Sequence, residues 1–196
     1  MRIVINLLLL AGVVILGYLT YNSIKLPIEF KNELDRRERR VIQQLMKIRN
    51  AQDVYRDITN GSYANSWGEL KDTLKTGQLK FINIIGDPDD PDFDPAKLVR
   101  DTTYKPAIDT INAMGITLDS LEYIPYSNGE TFSLDADTLT YQSTLVNVVE
   151  VKTSYDKFMG PFADIKYSMY DKMYSPQNVI KFGDMNKPTT AGSWDK

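Results

Sequence analysis

The N-terminal part of the chain is an apolar run long enough to cross a membrane. Residues 3–21 contain no Asp, Glu, Lys or Arg, and only Asn6 and Thr20 are strongly polar. At about 1.5 Å of rise per residue, a helix of this length just spans a hydrocarbon core of roughly 30 Å. The run is longer than the apolar region of a secretory signal peptide and lacks the small-x-small cleavage site. The pattern therefore predicts a retained membrane anchor.

Beyond Pro27 the apolar positions recur at three-, four- and seven-residue steps, as they do in an amphipathic helix. This apolar stripe consists of Leu34, Val41, Leu45, Ile48, Tyr55 and Ile58, with Ala51 between them. Two interpretations stay open. The stripe packs on the chain's own domain, or it forms an interaction surface for a second copy or another protein, made of Leu34, Val41, Leu45, Ile48 and Tyr55. The repeat is short and imperfect for a coiled coil.

Start and stop signals divide the following part of the chain into shorter elements. Asn60 and Gly61 predict the end of the long helix. Ser66 and Glu69 fit a capping box at the start of a helix over Trp67–Thr76. Strands are predicted over residues 79–85, 98–104, 121–126, 131–134, 139–141, 144–153 and 179–182, and a short helix over 107–114.

These elements predict an α+β fold. An N-terminal transmembrane helix continues into a long amphipathic helix, and a mostly antiparallel β-rich head with short helices follows. The expected divisions are an anchor over 1–24, an amphipathic helix or stalk over 25–60, an α+β domain over 61–186 and a polar tail over 187–196. We expect this tail to be loose, because it is polar and terminal.

The composition excludes several classes of function. The net charge is −3 and the sequence pI is near 5.1, which argues against a nucleic-acid partner. The chain has no His and no Cys, so it lacks the residues of Ser-His and Cys-His catalysis and the commonest transition-metal ligands. No spacing singles out a catalytic pair of carboxylates. The sequence therefore predicts a non-enzymatic protein without a resident cofactor.

One biased stretch is a weak candidate for a calcium site. Residues 86–95 combine three prolines with five carboxylates: Asp87, Asp89, Asp90, Asp92 and Asp94. Ca²⁺ accepts oxygen ligands in flexible geometry. The spacing matches no EF-hand loop, and the prolines limit how the carboxylates converge. A solvated loop is the favoured interpretation.

Residues 48–55, 60–64 and 66–70 carry a resemblance to a known family. The sequence Ile48-Arg-Asn-Ala-Gln-Asp-Val-Tyr55, followed by Asn60-Gly-Ser-Tyr-Ala64 and Ser66-Trp-Gly-Glu-Leu70, resembles the helix-to-loop passage of type IV pilin-like proteins and pseudopilins. The chain is also similar to uncharacterised membrane-anchored envelope proteins of Bacteroidetes-type bacteria. It departs from the pilins before the apolar run, where the prepilin-peptidase site and its Glu are missing. Cleavage, methylation and the Glu contact between pilins are therefore not carried over.

The resemblance implies a location that charge alone leaves open. Arg2 is the only charged residue before the apolar run, and mixed basic and acidic residues follow it. The family instead implies a single-pass protein of the inner membrane with a periplasmic domain. It also implies a structural component of a secretion, pilus-like or trafficking assembly. Its expected partners are the membrane and other envelope proteins, or further copies of itself.

A ligand- or peptide-binding module is the alternative function. Tyrosine is enriched at recognition surfaces. The β-rich head carries seven tyrosines that would line such a site: Tyr123, Tyr126, Tyr141, Tyr155, Tyr167, Tyr170 and Tyr174.

Overall fold

The computed structural model describes residues 2–85 and 99–195. Its first element is a single helix, α1, which runs for 57 residues from Arg2 to Ile58. Pro27 lies inside this helix. Proline removes one backbone hydrogen bond from a helix interior, yet the helix continues on both sides. The apolar and the amphipathic segments are therefore one uninterrupted element.

The two parts of α1 have different surroundings. From Arg2 to Glu29 the helix has no buried residue, although most of its side chains are apolar. From Phe30 onwards one face is buried in the head, at Phe30, Leu34, Val41, Leu45, Ile48, Ala51, Gln52, Val54 and Tyr55. The predicted stripe is therefore part of the core of the chain's own domain.

The first turn after α1 follows the predicted pattern. Asn60 and Gly61 both have positive φ, at 57° and 116°, which ends the helix and reverses the chain. Helix α2 spans Trp67–Thr76, and the Ser66 hydroxyl accepts a hydrogen bond from the Glu69 N–H at 3.4 Å. Leu70 and Leu74 are buried, as predicted.

A two-stranded antiparallel ribbon follows α2. Strand β1 spans Gln78–Ile85 and pairs with β2 over Val99–Pro106. The short helix α3, Ala107–Ala113, begins directly after β2. Its first N–H, that of Ala107, donates to the carbonyl oxygen of Gly77 at 2.9 Å and so closes the base of the ribbon.

The second sheet has three antiparallel strands in the order β3-β4-β5. Strand β3 spans Ser133–Tyr141, β4 spans Thr144–Ser154 and β5 spans Val179–Gly183. The predicted strand over 121–126 is wrong. There the chain forms a loop with one bridge between Tyr123 and Thr131, because its apolar residues enter the core at a three-residue spacing.

Short helical turns connect β4 to β5. Helix α4 spans Tyr155–Met159, and 3₁₀ turns follow over Gly160–Phe162 and Ile165–Met169. This connection packs on the part of α1 where burial begins, through contacts of Phe30 with Phe162, Tyr167 and Tyr174.

The expectation of a loose C-terminal tail is wrong for residues 186–195. The Gly183 N–H donates to the carbonyl oxygen of Ala191 at 3.0 Å, and the Ser193 N–H donates to that of Lys181 at 2.8 Å. Trp194 packs against the core. The tail therefore covers the outer edge of β5, which would otherwise present unpaired backbone groups.

Gly183 provides a test of this arrangement. Its φ is 77°, and a Cβ atom there would overlap the carbonyl oxygen of Val149 on β4. We expect Gly183→Ala to lower the free energy of unfolding by about 3 kcal/mol, through strain and collision with the backbone. Chemical denaturation of the full chain in detergent measures this change.

Gly68 is the matched control. It lies in α2, where an added Cβ meets no atom within 4 Å. Gly68→Ala should raise the stability by about 0.5–1 kcal/mol, because alanine is favoured over glycine in a helix. Equal effects of the two substitutions would contradict the described β4-β5 packing.

Candidate functional site

The predicted calcium residues lie outside the described part of the chain. Asp87, Asp89, Asp90, Asp92 and Asp94 all belong to the segment 86–98. Within residues 2–85 and 99–195, no three His, Cys, Asp or Glu side chains form a group that would hold a metal ion. The calcium site therefore stays a prediction.

The predicted interaction residues are placed inside the head. Leu34, Val41, Leu45, Ile48 and Tyr55 are all buried in its hydrophobic core. Of the two interpretations of the stripe, the intramolecular one is confirmed. A partner would reach these side chains only if α1 separated from the head, so we no longer assign the five residues to an interaction surface.

The seven candidate tyrosines do not line one groove. Tyr123, Tyr126 and Tyr141 are exposed on other parts of the head, and Tyr126 lies under the guanidinium groups of Arg36 and Arg37. The other four, Tyr155, Tyr167, Tyr170 and Tyr174, gather near the start of the buried part of α1. The structure therefore brings four of the seven tyrosines together, and the aromatic contacts of that group do not include the other three.

The gathered aromatic side chains form a cluster around Phe30. The ring of Phe30 stacks on Tyr167 with centroids 5.3 Å apart and meets the edge of Tyr174 at 4.9 Å. The Tyr174 hydroxyl donates to the carbonyl oxygen of Phe162 at 2.7 Å. Burial, with smaller contributions from Asp156 and Asp164, raises the pKa of Tyr174 to about 12. This Phe30 cluster attaches residues 162–174 to α1.

An arginine fixes the neighbouring turn of α1 to the head. Arg37 donates from Nε to Glu33 at 2.9 Å and from Nη1 to the carbonyl oxygen of Phe158 at 2.7 Å. The hydrogen bond from Arg37 is the largest influence holding the pKa of Glu33 below its usual range. Because guanidinium donates in two directions at once, it joins the helix to α4.

Residues in the range 48–70 attach the other end of the head to α1. The Gln52 side chain is buried, donates to the carbonyl oxygen of Ala64 at 3.1 Å and accepts from the Ala64 N–H at 3.0 Å. The Tyr55 hydroxyl donates to Glu69 at 2.5 Å. Burial and then this carboxylate raise the pKa of Tyr55 to about 12. Glu69 therefore binds Tyr55 instead of completing the predicted capping box.

The most buried carboxylate of the described chain is committed to ion pairs. Glu150 on β4 accepts from Lys152 at 2.7 Å and from Lys181 on β5. Burial alone would raise the pKa of Glu150, but the two lysines outweigh it and the pKa lies below the usual value. Both carboxylate oxygens are thus occupied by ammonium groups, and we assign Glu150 to the stability of the sheet.

Sequence reasoning missed one exposed apolar segment. Residues 165–173 connect α4 to β5 and carry Ile165, Met169 and Met173 on the surface, with exposed fractions of 57, 73 and 79%. These three residues recur at steps of four, as on one face of a helix, but only Ile165–Met169 forms a helical turn, of the 3₁₀ type. The available signal was their mixture of Met, Tyr and Lys, which is typical of surfaces that adapt to an apolar partner.

Comparisons with known proteins assign no family to this chain. No family model matches it, and neither a curated protein nor a solved structure does.

A substitution of Gln52 tests the structural role of residues 48–70. Gln52→Ala leaves the buried N–H and carbonyl oxygen of Ala64 without their partners, so we expect a loss of about 2–4 kcal/mol in the free energy of unfolding. Gln43→Ala changes an exposed glutamine of the same helix and should stay within about 0.5 kcal/mol of the wild type. Denaturant titration of both variants measures the difference, and a neutral Gln52→Ala would contradict the structural role.

Proposed function

We propose that this chain is a single-pass protein of the cytoplasmic membrane with its head on the periplasmic side. The head acts as a non-enzymatic structural component of a secretion, pilus-like or trafficking assembly of the cell envelope. The observation that carries the proposal is the continuity of α1. An apolar segment long enough to cross a membrane and the segment that packs in the core of the head form one helix.

The first part of α1 supports membrane anchoring. Among the described residues it is the one helix with a stretch long and apolar enough to cross a membrane, and nothing in the head buries that stretch. Soluble proteins rarely expose apolar surface of this extent, which marks interaction with a membrane or another protein. Lipid is the solvent that fits this segment, because its exposed side chains are apolar and a helix pairs its backbone groups internally.

The second part of α1 supports a structural role. Its buried face joins the head's core, while its outward face stays open and carries Arg36, Arg39, Arg40 and Lys47. Asn32, Asp35 and Gln43 lie on the same face of α1 as the arginines. We therefore place the contact with a neighbouring protein on the polar, mainly basic face of α1, where an acidic surface would bind.

The resemblance of residues 48–70 to pilin-like proteins supports the periplasmic side and the kind of assembly. The passage has a structural role in this chain, through Gln52 and Tyr55, and a scaffold built on a long N-terminal helix is what that family would share with it. The lack of His and Cys is compatible with a protein that acts by contact.

A membrane-impermeant lysine cross-linker, applied to intact cells, tests the proposal. The exposed Lys47 should react without lysis and form links to other envelope proteins or to a second copy, identified by mass spectrometry after purification. Reaction only after lysis would contradict the periplasmic side. Links confined to the chain itself would contradict the assembly role.

Charge reversal gives the matched pair for this experiment. Arg40→Glu changes the outward face of α1 and should abolish the links between proteins, because it repels an acidic partner. Lys187→Glu makes the same change of charge at an exposed position near the C-terminus and should leave them intact. Equal loss in both variants would contradict the assignment of the interface to α1.

A further inference from the structure

We propose that residues 165–173 form a second membrane contact, which rests on the lipid interface beside the point where α1 leaves the bilayer. This inference rests on the proposed membrane anchoring and adds an orientation of the head relative to the lipid surface.

Residues 165–173 lie beside the start of the buried part of α1. The stacking contact of Tyr167 holds this segment against Phe30. A groove of about 490 Å³ lies between Pro27–Asn32 of α1 and Tyr170–Lys172 of the segment. Lys25, the first charged residue after the apolar run, is only about 8 Å from Phe30 along a helix axis. The segment thus reaches the level at which the helix emerges from lipid.

Exposed apolar side chains lie on α1 and on the segment, and Ile28 and Tyr170 line the groove between the two. Ile24, Leu26 and Ile28 are exposed on α1 just before burial begins. Met169 and Met173, which flank the groove residues Tyr170–Lys172 in the sequence, are 73% and 79% exposed. The proposed anchor brings lipid next to these apolar side chains. The membrane can therefore cover them without a further protein.

The charges around the segment suit an interface rather than the hydrocarbon core. Lys166 lies 3.4 Å from Asp164, and Lys25 lies 3.6 Å from Glu29. Lys31 and Lys172, which line the groove, have no carboxylate within 4 Å in the described part of the chain. Lysine stems extend along apolar surface while the ammonium groups reach lipid phosphates, and tyrosines are enriched at the same depth.

The consequence is a two-point attachment. A single helix leaves a head free to tilt and rotate above the membrane. A second contact beside the helix limits this motion and turns a defined side of the head, including the outward face of α1, toward neighbouring proteins.

Site-specific fluorescence tests the inference, because the chain has no Cys and each introduced cysteine is unique. Met169→Cys and Met173→Cys, labelled with a polarity-sensitive dye, are placed in the full chain in vesicles of phosphatidylcholine and phosphatidylglycerol. Nitroxide lipids with the quencher near the headgroup should quench both labels, and their emission should shift to shorter wavelength on reconstitution.

Leu145→Cys is the matched control. Leu145 is 73% exposed, like Met169, but lies on the opposite end of the head. Its neighbour Asn147 donates to the carbonyl oxygen of Gly61, just beyond the end of α1. The helix axis from Phe30 to Ile58 is about 42 Å long, so the end of the head that carries Leu145 is far from the proposed membrane contact. A label at this position should be neither shifted nor quenched.

A label at Leu10→Cys separates failure of the inference from failure of the anchor. Quenching at position 10 by nitroxides deep in the acyl chains, with positions 169 and 173 behaving like 145, would overturn the second contact alone. That result would leave the exposed methionines for a protein partner. Absence of quenching at position 10 would overturn the membrane anchor and the second contact together.

Discussion

The continuity of α1 is the constraint on which the rest of the structure depends. The same helix has apolar side chains on all sides up to Ile24 and on one face from Phe30 onwards. The core of the head satisfies the second requirement, and in the arrangement we propose lipid satisfies the first. A continuous helix has a single axis over its whole length. The direction of the apolar segment therefore sets the position of the head.

Two sets of contacts keep the head aligned with this helix. Arg37 and the Phe30 cluster attach it near the proposed membrane surface, and Gln52 and Tyr55 attach it at the far end. The first set joins α1 to residues far along the chain, and the second set joins it to residues that follow it closely. The buried stripe supplies the apolar contact between them. The interior face of α1 is therefore used for stability, and its outward face is the one that we propose for partners.

Elements with local signals were predicted well. Helix α2 has the predicted bounds, because Ser66 and Gly77 mark its ends, and β5 differs from the prediction by one residue. The strands predicted over 139–141 and 144–153 correctly leave Gln142 and Ser143 between them, where both residues adopt positive φ. Strand β3 was predicted in two pieces, over 131–134 and 139–141, because Asp135 and Asp137 between them are residues depleted in strands.

The candidate site could be predicted less completely. Periodicity identified the stripe on α1 but does not reveal whether an apolar face is covered by the same chain or by another. The position of the exposed methionines of 165–173 beside α1 depends on the contact of Tyr167 with Phe30, which is distant in sequence. The pairing of the polar tail with β5 likewise depends on backbone hydrogen bonds, which cannot be predicted from the residue types of the tail.

The distance between the two parts of α1 tests this arrangement most directly. Nitroxide labels at Tyr18→Cys and Gln43→Cys, on similar faces of the helix on either side of Pro27, would be measured by pulsed electron paramagnetic resonance in lipid vesicles. A continuous helix predicts a narrow distribution centred at about 38 Å. A broad distribution at much shorter distances would show that the helix breaks at Pro27, and the anchor would then not position the head.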